Sequence, residues 1–240
     1  MNRTSVAIGS VLGSAALAAA ALAGTSTSVA AGPLAPAPAA DAVHTAAAPL
    51  PKPVVKWSKS HGHKVATFDL VRSTASVAKG CLPYAKAKVS IEQTEEVEIM
   101  KVYASGLPKN TEFDFFVLQQ PDTPFGLSWY QGDLQSDKHG RAYVKYVGRF
   151  NEETFSVAPN VLPAPVTHDE QPFPDAAKNP ATAPVHQYHL GFWFNSPKDA
   201  AKAGCLDATT PFNGEHNAGV QAMSTRQFPP LAGPLSRIKP

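Results

Sequence analysis

The sequence predicts an all-β fold, an antiparallel β-sandwich with one short helix and one disulfide. Three observations predict it. Short segments alternate apolar and polar residues with a period of two, the signature of half-buried strands. Turn-forming residues stand between those segments. The only two cysteines, Cys81 and Cys205, lie near the two ends of the alternating region and are placed to bridge it.

The chain opens with Met1-Asn2-Arg3, then an uncharged Ala, Gly, Val, Leu, Ile and Ser stretch from Ser5 to Gly24, then Thr25-Ser26-Thr27-Ser28 and Val29-Ala30-Ala31. That order is the charged, apolar and cleavage region of a secretory signal peptide over residues 1–31, with processing between residues 30 and 40. The apolar stretch is rich in Ala, Gly and Ser rather than Leu, Ile or Phe, which disfavours a retained membrane span. Residues 32–56 are an Ala/Pro tract that cannot build a core and reads as a disordered linker. A sandwich domain is expected over residues 57–240.

Within it the alternating runs are Lys64–Val71, Lys86–Glu92, Val97–Ala104, Glu112–Gln119, Leu127–Gln131, Arg141–Phe150, His186–Asn195 and Gly219–Thr225. Phe113, Phe115 and Val117 form one face of the fourth, against Glu112, Asp114 and Phe116. Gly106-Leu107-Pro108-Lys109-Asn110 and Asp137-Lys138-His139-Gly140 carry turn chemistry. The one predicted helix has Ser196 as cap, Pro197 at its first position, Lys198 to Ala203 as body and Gly204 as stop. Residues 158–184 hold seven prolines and are expected to form a long loop. A Cys81–Cys205 bridge suits an oxidising compartment and closes a loop worth about 4–5 kcal/mol in the chain-entropy model.

Two phrases, Gly106-Leu107-Pro108-Lys109-Asn110-Thr111-Glu112-Phe113 and Ser136-Asp137-Lys138-His139-Gly140-Arg141-Ala142, resemble bacterial immunoglobulin-like sandwiches. Residues ~60–235 also resemble uncharacterised secreted proteins of high-GC Gram-positive bacteria, through Pro124-Phe125-Gly126 to Tyr130-Gln131-Gly132-Asp133 and through Thr210-Pro211-Phe212-Asn213-Gly214-Glu215-His216-Asn217-Ala218-Gly219. The resemblance implies an immunoglobulin-like fold and export, and no activity. A copper/zinc superoxide dismutase site is excluded, because the strand after the Gly-Leu-Pro turn is Glu112-Phe113-Asp114-Phe115-Phe116-Val117 and carries no histidines.

The formal net charge is +2, and removing the leader takes one base and no acids. A near-neutral chain disfavours nucleic acid as a partner, since such binders cluster their bases. There is no Gly-x-Ser-x-Gly elbow and no His-Glu-x-x-His helix. The expected function is therefore a secreted, extracellular, non-catalytic binding protein, a monomer with no cofactor and no membrane span after processing. Its expected partner is a glycan, a cell-wall polymer or a protein.

Candidate binding residues are Asn213, Glu215, His216 and Asn217 in the Gly-bounded segment, with Trp129, Tyr130 and Asp133 as an aromatic–acid group. One alternative is a secreted hydrolase using Glu215 and His216. Another is a metal site using His61, His63 or His216, because His-x-His in a strand points both rings one way.

Overall fold

The computed structural model describes residues 49–158, 183–213 and 216–240. The predicted signal peptide and most of the predicted linker lie outside the described residues, as do residues 159–182 of the predicted long loop, together with Gly214 and Glu215. The described part of the linker is mostly exposed, but Val55 packs on the core and Lys56 already opens the first strand.

The all-β class and antiparallel pairing are borne out. Of the described residues 45% are in strands, most of them in one sheet that folds over on itself in the manner of a sandwich or barrel. Its strands are β1 (Lys56–Ser60), β2 (His63–Arg72), β3 (Lys86–Gln93), β4 (Glu98–Ser105), β5 (Glu112–Leu118), β6 (Ser128–Gln135), β7 (Ala142–Gly148), β8 (Phe155–Ala158), β9 (Ala183–His186), β10 (His189–Phe194), β11 (Thr210–Asn213), β12 (His216–Ala218) and β13 (Gln221–Ser224). The main sheet runs β6-β5-β10-β13-β2-β3-β4-β7, with β1 added on β2. Strand β2 joins its two halves. Lys64 to Leu70 pair with β3, whereas Val71 and Arg72 pair with β13. The pairs β8-β9 and β11-β12 stand apart.

The alternation read from sequence sets the core. Ala66, Phe68 and Leu70 of β2, Ala87, Val89 and Ile91 of β3, and Met100, Val102 and Ala104 of β4 face Phe113, Phe115, Val117, Leu190, Phe192 and Phe194 from the other half. Phe115 packs against Tyr146 with ring centroids 5.5 Å apart, which ties the halves across the core.

The expectation of a single helix is corrected. Among the described residues there are two short helices, α1 (Thr74–Lys79) and α2 (Pro197–Lys202), plus a 3₁₀ turn over Pro234–Arg237. Helix α2 has the predicted Ser196 cap and first-position proline. Helix α1 repeats the device: the Ser73 hydroxyl accepts from the Ser76 amide, and Gly80 ends the helix at φ 72°. Thr74 and Val77 are β-branched and hide that helix from a propensity argument. Gly204 also sits at positive φ, so each helix ends in a left-handed glycine that hands the chain to a cysteine. Cys81 and Cys205 are bonded there as predicted, with Cα atoms 5.2 Å apart.

The outer face of the β5–β10 half is also buried. Phe116, Leu118, Trp193 and Ala218 form a second apolar cluster, with Phe125 packed on it. Of the three successive aromatics 192–194, Trp193 is the one that leaves the main core, and this cluster covers it completely.

Candidate functional site

On β5, the residues that alternate with the core are Glu112, Asp114, Phe116 and Leu118. Their partners on β6 are Gln135, Asp133, Tyr130 and Ser128. Strict alternation would put Tyr130 and Asp133, three residues apart, on opposite faces. A register shift between Phe115 and Phe116 absorbs one extra β6 residue and returns both to the outer face. Gly132 permits it: its φ is 146°, and a Cβ there would come within 2.8 Å of the Tyr146 ring. Trp129, opposite Val117, is left half-buried on the main core, and its indole NH donates to Gln131 at 3.0 Å.

The result is an exposed ring held in place. Tyr130 is 48% exposed. It meets Phe116 edge to face at 5.7 Å and donates its phenol hydrogen to Asp133. Burial first, then the hydrogen bond to Asp133 and the charges of Asp133, Asp114 and Glu112, push the Tyr130 pKa well above the ordinary phenol value. Tyr130 therefore stays a neutral donor at any physiological pH. Asp114 lies directly across from Asp133 on the neighbouring strand and is buried, whereas Asp133 accepts the Tyr130 hydrogen bond. Glu112 accepts from the Asn195 side-chain amide at 3.3 Å, which adds an amide to the group's edge. Chemically, this is a flat ring beside carboxylate acceptors and an amide. It suits a hydroxyl-bearing ligand and repels anions.

The sequence-predicted residues are partly brought together. Ala218 packs in the cluster with Phe116 and Trp193, so exposed Asn217 lies on the same side of the sheet as Tyr130 and Asp133. Asn213 and His216 are placed only by their backbone pairing in β11-β12, and Glu215 lies outside the described residues. Nothing in the geometry therefore carries the hydrolase alternative. Glu112, Asp114 and Asn195 were not singled out from sequence as a site. The alternation of β5 carried the signal for the two acids.

The His61 and His63 expectation is corrected in its geometry. His61 is not in a strand. With Gly62 it forms the two-residue turn of the β1–β2 hairpin, at φ 50° and 87°. Its ring lies beside the Ser60 hydroxyl at 3.1 Å. Both histidines open onto a cleft of about 740 Å³ that also holds Glu95, Glu98, Arg149 and Glu153. No group of three or more His, Cys, Asp or Glu among the described residues is arranged to hold a metal ion. Glu98, buried at the floor, is engaged by the Phe150 amide at 3.2 Å and the Asn151 side chain at 2.7 Å.

His186 and His189 are separated by a break between β9 and β10 and do not share a site. His186 stacks on Tyr188 at 5.0 Å. His189 is fully buried, with Nε2 at 3.1 Å and 3.0 Å from the Pro229 and Pro230 carbonyls and Nδ1 at 2.9 Å from the Thr225 hydroxyl. Carbonyls only accept, so Nε2 carries the hydrogen and Nδ1 accepts from Thr225. Burial lowers the His189 pKa from 6.5 to about 4, and the hydrogen bonds only partly oppose it. Between those values the unfolded chain binds the proton and the folded one does not, so stability falls as pH drops from 6.5 to about 4. The expected loss is roughly 3 kcal/mol. Urea unfolding of wild type and His189→Gln across this range checks it. The variant should show a shallower acid loss.

No family model, no curated protein and no solved structure matches the chain.

Proposed function

We propose that the chain is a secreted, non-catalytic binding protein with an immunoglobulin-like sandwich. On this reading Tyr130 and Asp133, with Glu112 and Asn195 at the edge, take a hydroxyl-rich ligand such as a glycan or cell-wall polymer. The observation that carries it is Tyr130, a half-exposed ring fixed from beneath by Phe116 and at its hydroxyl by Asp133. Such a ring offers a preorganised stacking face with little side-chain entropy left to lose on binding. The buried disulfide supports an oxidising compartment, in keeping with the secretory leader read from the sequence. No helix of the described residues is long and apolar enough to cross a membrane.

Glycan arrays and pull-down on purified cell-wall material test the proposal, with wild type beside Tyr130→Ala and Asp133→Asn. A ligand should emerge whose affinity drops roughly tenfold or more in Tyr130→Ala, as for an interface anchor. The unfolding midpoint should hardly move, because the ring is half exposed. Absence of binding to any glycan or wall fraction, or a ligand indifferent to both substitutions, sinks it.

A further inference from the structure

The geometry points to a second binding site, separate from the Tyr130 face, for a ring-bodied organic anion. It is a cleft of about 480 Å³ lined by Trp57, Lys59, Lys64, Gln93, Arg237 and Lys239. That volume suits a ligand of a few rings.

Its walls follow from the register of β1 and β2. Trp57 lies opposite Ala66, and Lys59 opposite Lys64. Ala66 faces the core, so Trp57 and Lys59, two residues apart, point to the core side of the sheet. Strand β1 hangs off the edge of the main sheet, and Trp57 remains 47% exposed. An indole beside the methylene stems of lysines gives an apolar floor with a charged rim.

The rim is uniformly cationic; no acid lines the cleft. Lys239 is neutralised by Glu152. Lys59 and Lys64 are different. They stand directly across from each other, and neither forms an ion pair among the described residues. Like charges in that position repel, so a bound anion would relieve an existing cost. Arg237 is preset: its guanidinium lies 5.0 Å from the Phe228 ring centre and donates to the Pro53 carbonyl at 3.2 Å. It too has no acid partner among the described residues. An exposed indole with three uncompensated cations at its edge fits a ring that bears a carboxylate or sulfate, whether an acidic sugar or a small aryl acid.

Calorimetric titration with trigalacturonate, 2-naphthalenesulfonate and neutral maltotriose tests this. At least one anion should bind, and maltotriose should bind about tenfold more weakly or not at all. Which anion binds distinguishes a glycan from an aryl acid as the source. Binding of the anion should weaken steeply at ~1 M salt, where screening is nearly complete. Lys59→Gln/Lys64→Gln should lose tenfold or more in affinity while its unfolding midpoint stays or rises, since a repulsion is removed. Trp57→Ala, on the edge strand, should lose binding and keep the fold. Tyr130→Ala should bind the same anion with wild-type affinity, which separates this site from the proposed glycan face. If neither anion binds wild type at millimolar concentration, or if the lysine and Trp57 variants bind unchanged, the assignment is wrong.

Discussion

Replacing Cys81 and Cys205 together by serine is expected to lower the unfolding free energy by about 5 kcal/mol. The bridge spans 124 residues, and in the chain-entropy model a loop of that length removes about that much freedom from the unfolded chain. Because a domain of this size is typically stable by only about 5–15 kcal/mol, the variant should sit near the edge of unfolding at room temperature. Both cysteines are almost wholly buried and belong to the main core, so the loss should be felt throughout the sheet. Urea unfolding with and without reductant measures it. A change under about 1 kcal/mol would show that the unfolded chain is already confined by other means.

The second large effect is expected at Trp193. Trp193→Ala should cost about 4 kcal/mol, in the range for deleting a fully buried aromatic. The indole has no solvent exposure and meets Phe116 at 5.3 Å and Phe125 at 5.0 Å, both edge to face. Its removal empties the centre of the outer cluster and takes away the backing of Phe116, on which Tyr130 rests. A lower urea midpoint and reduced order at Tyr130 should appear together. A loss below about 1 kcal/mol would mean the outer cluster collapses to refill the space.

Strand positions were legible in the sequence wherever one face is buried and the other wet. Lys86–Glu92 and Arg141–Phe150 are such segments, and they form β3 and β7, with Ala87, Val89, Ile91, Ala142 and Tyr146 turned to the core. Legibility failed where both faces are covered. Phe116 and Trp193 lie on the face opposite the core, as alternation requires, yet a second cluster buries them. Nothing in a period of two announces a second cover. Strand β1 is not legible because its edge position leaves every side chain at least partly exposed, and because His61 and His63 read as a ligand pair in one strand whereas His61-Gly62 is a hairpin turn. The candidate site was half visible. Tyr130 and Asp133 stood out by residue type, but the register shift that sets them side by side depends on Gly132 meeting Tyr146, a contact between separate strands. Asn195 joins them only because β10 pairs with β5, far away along the chain.

The sheet-sharing strand β2 has a consequence for the order in which this chain can fold. Its first seven paired residues find β3 at once, but Val71 and Arg72 must wait for Met223 and Ser224. Strand β5 likewise waits for β10. Until then the β2-β3-β4 meander shows Phe68, Val89, Ile91, Met100 and Val102 to water with no opposite layer to cover them. Long-range closure of this kind is slow, and the waiting form is open to aggregation. Released chains truncated before Gln221 should therefore stay protease-sensitive and aggregate, while the full chain should become protease-resistant in one step.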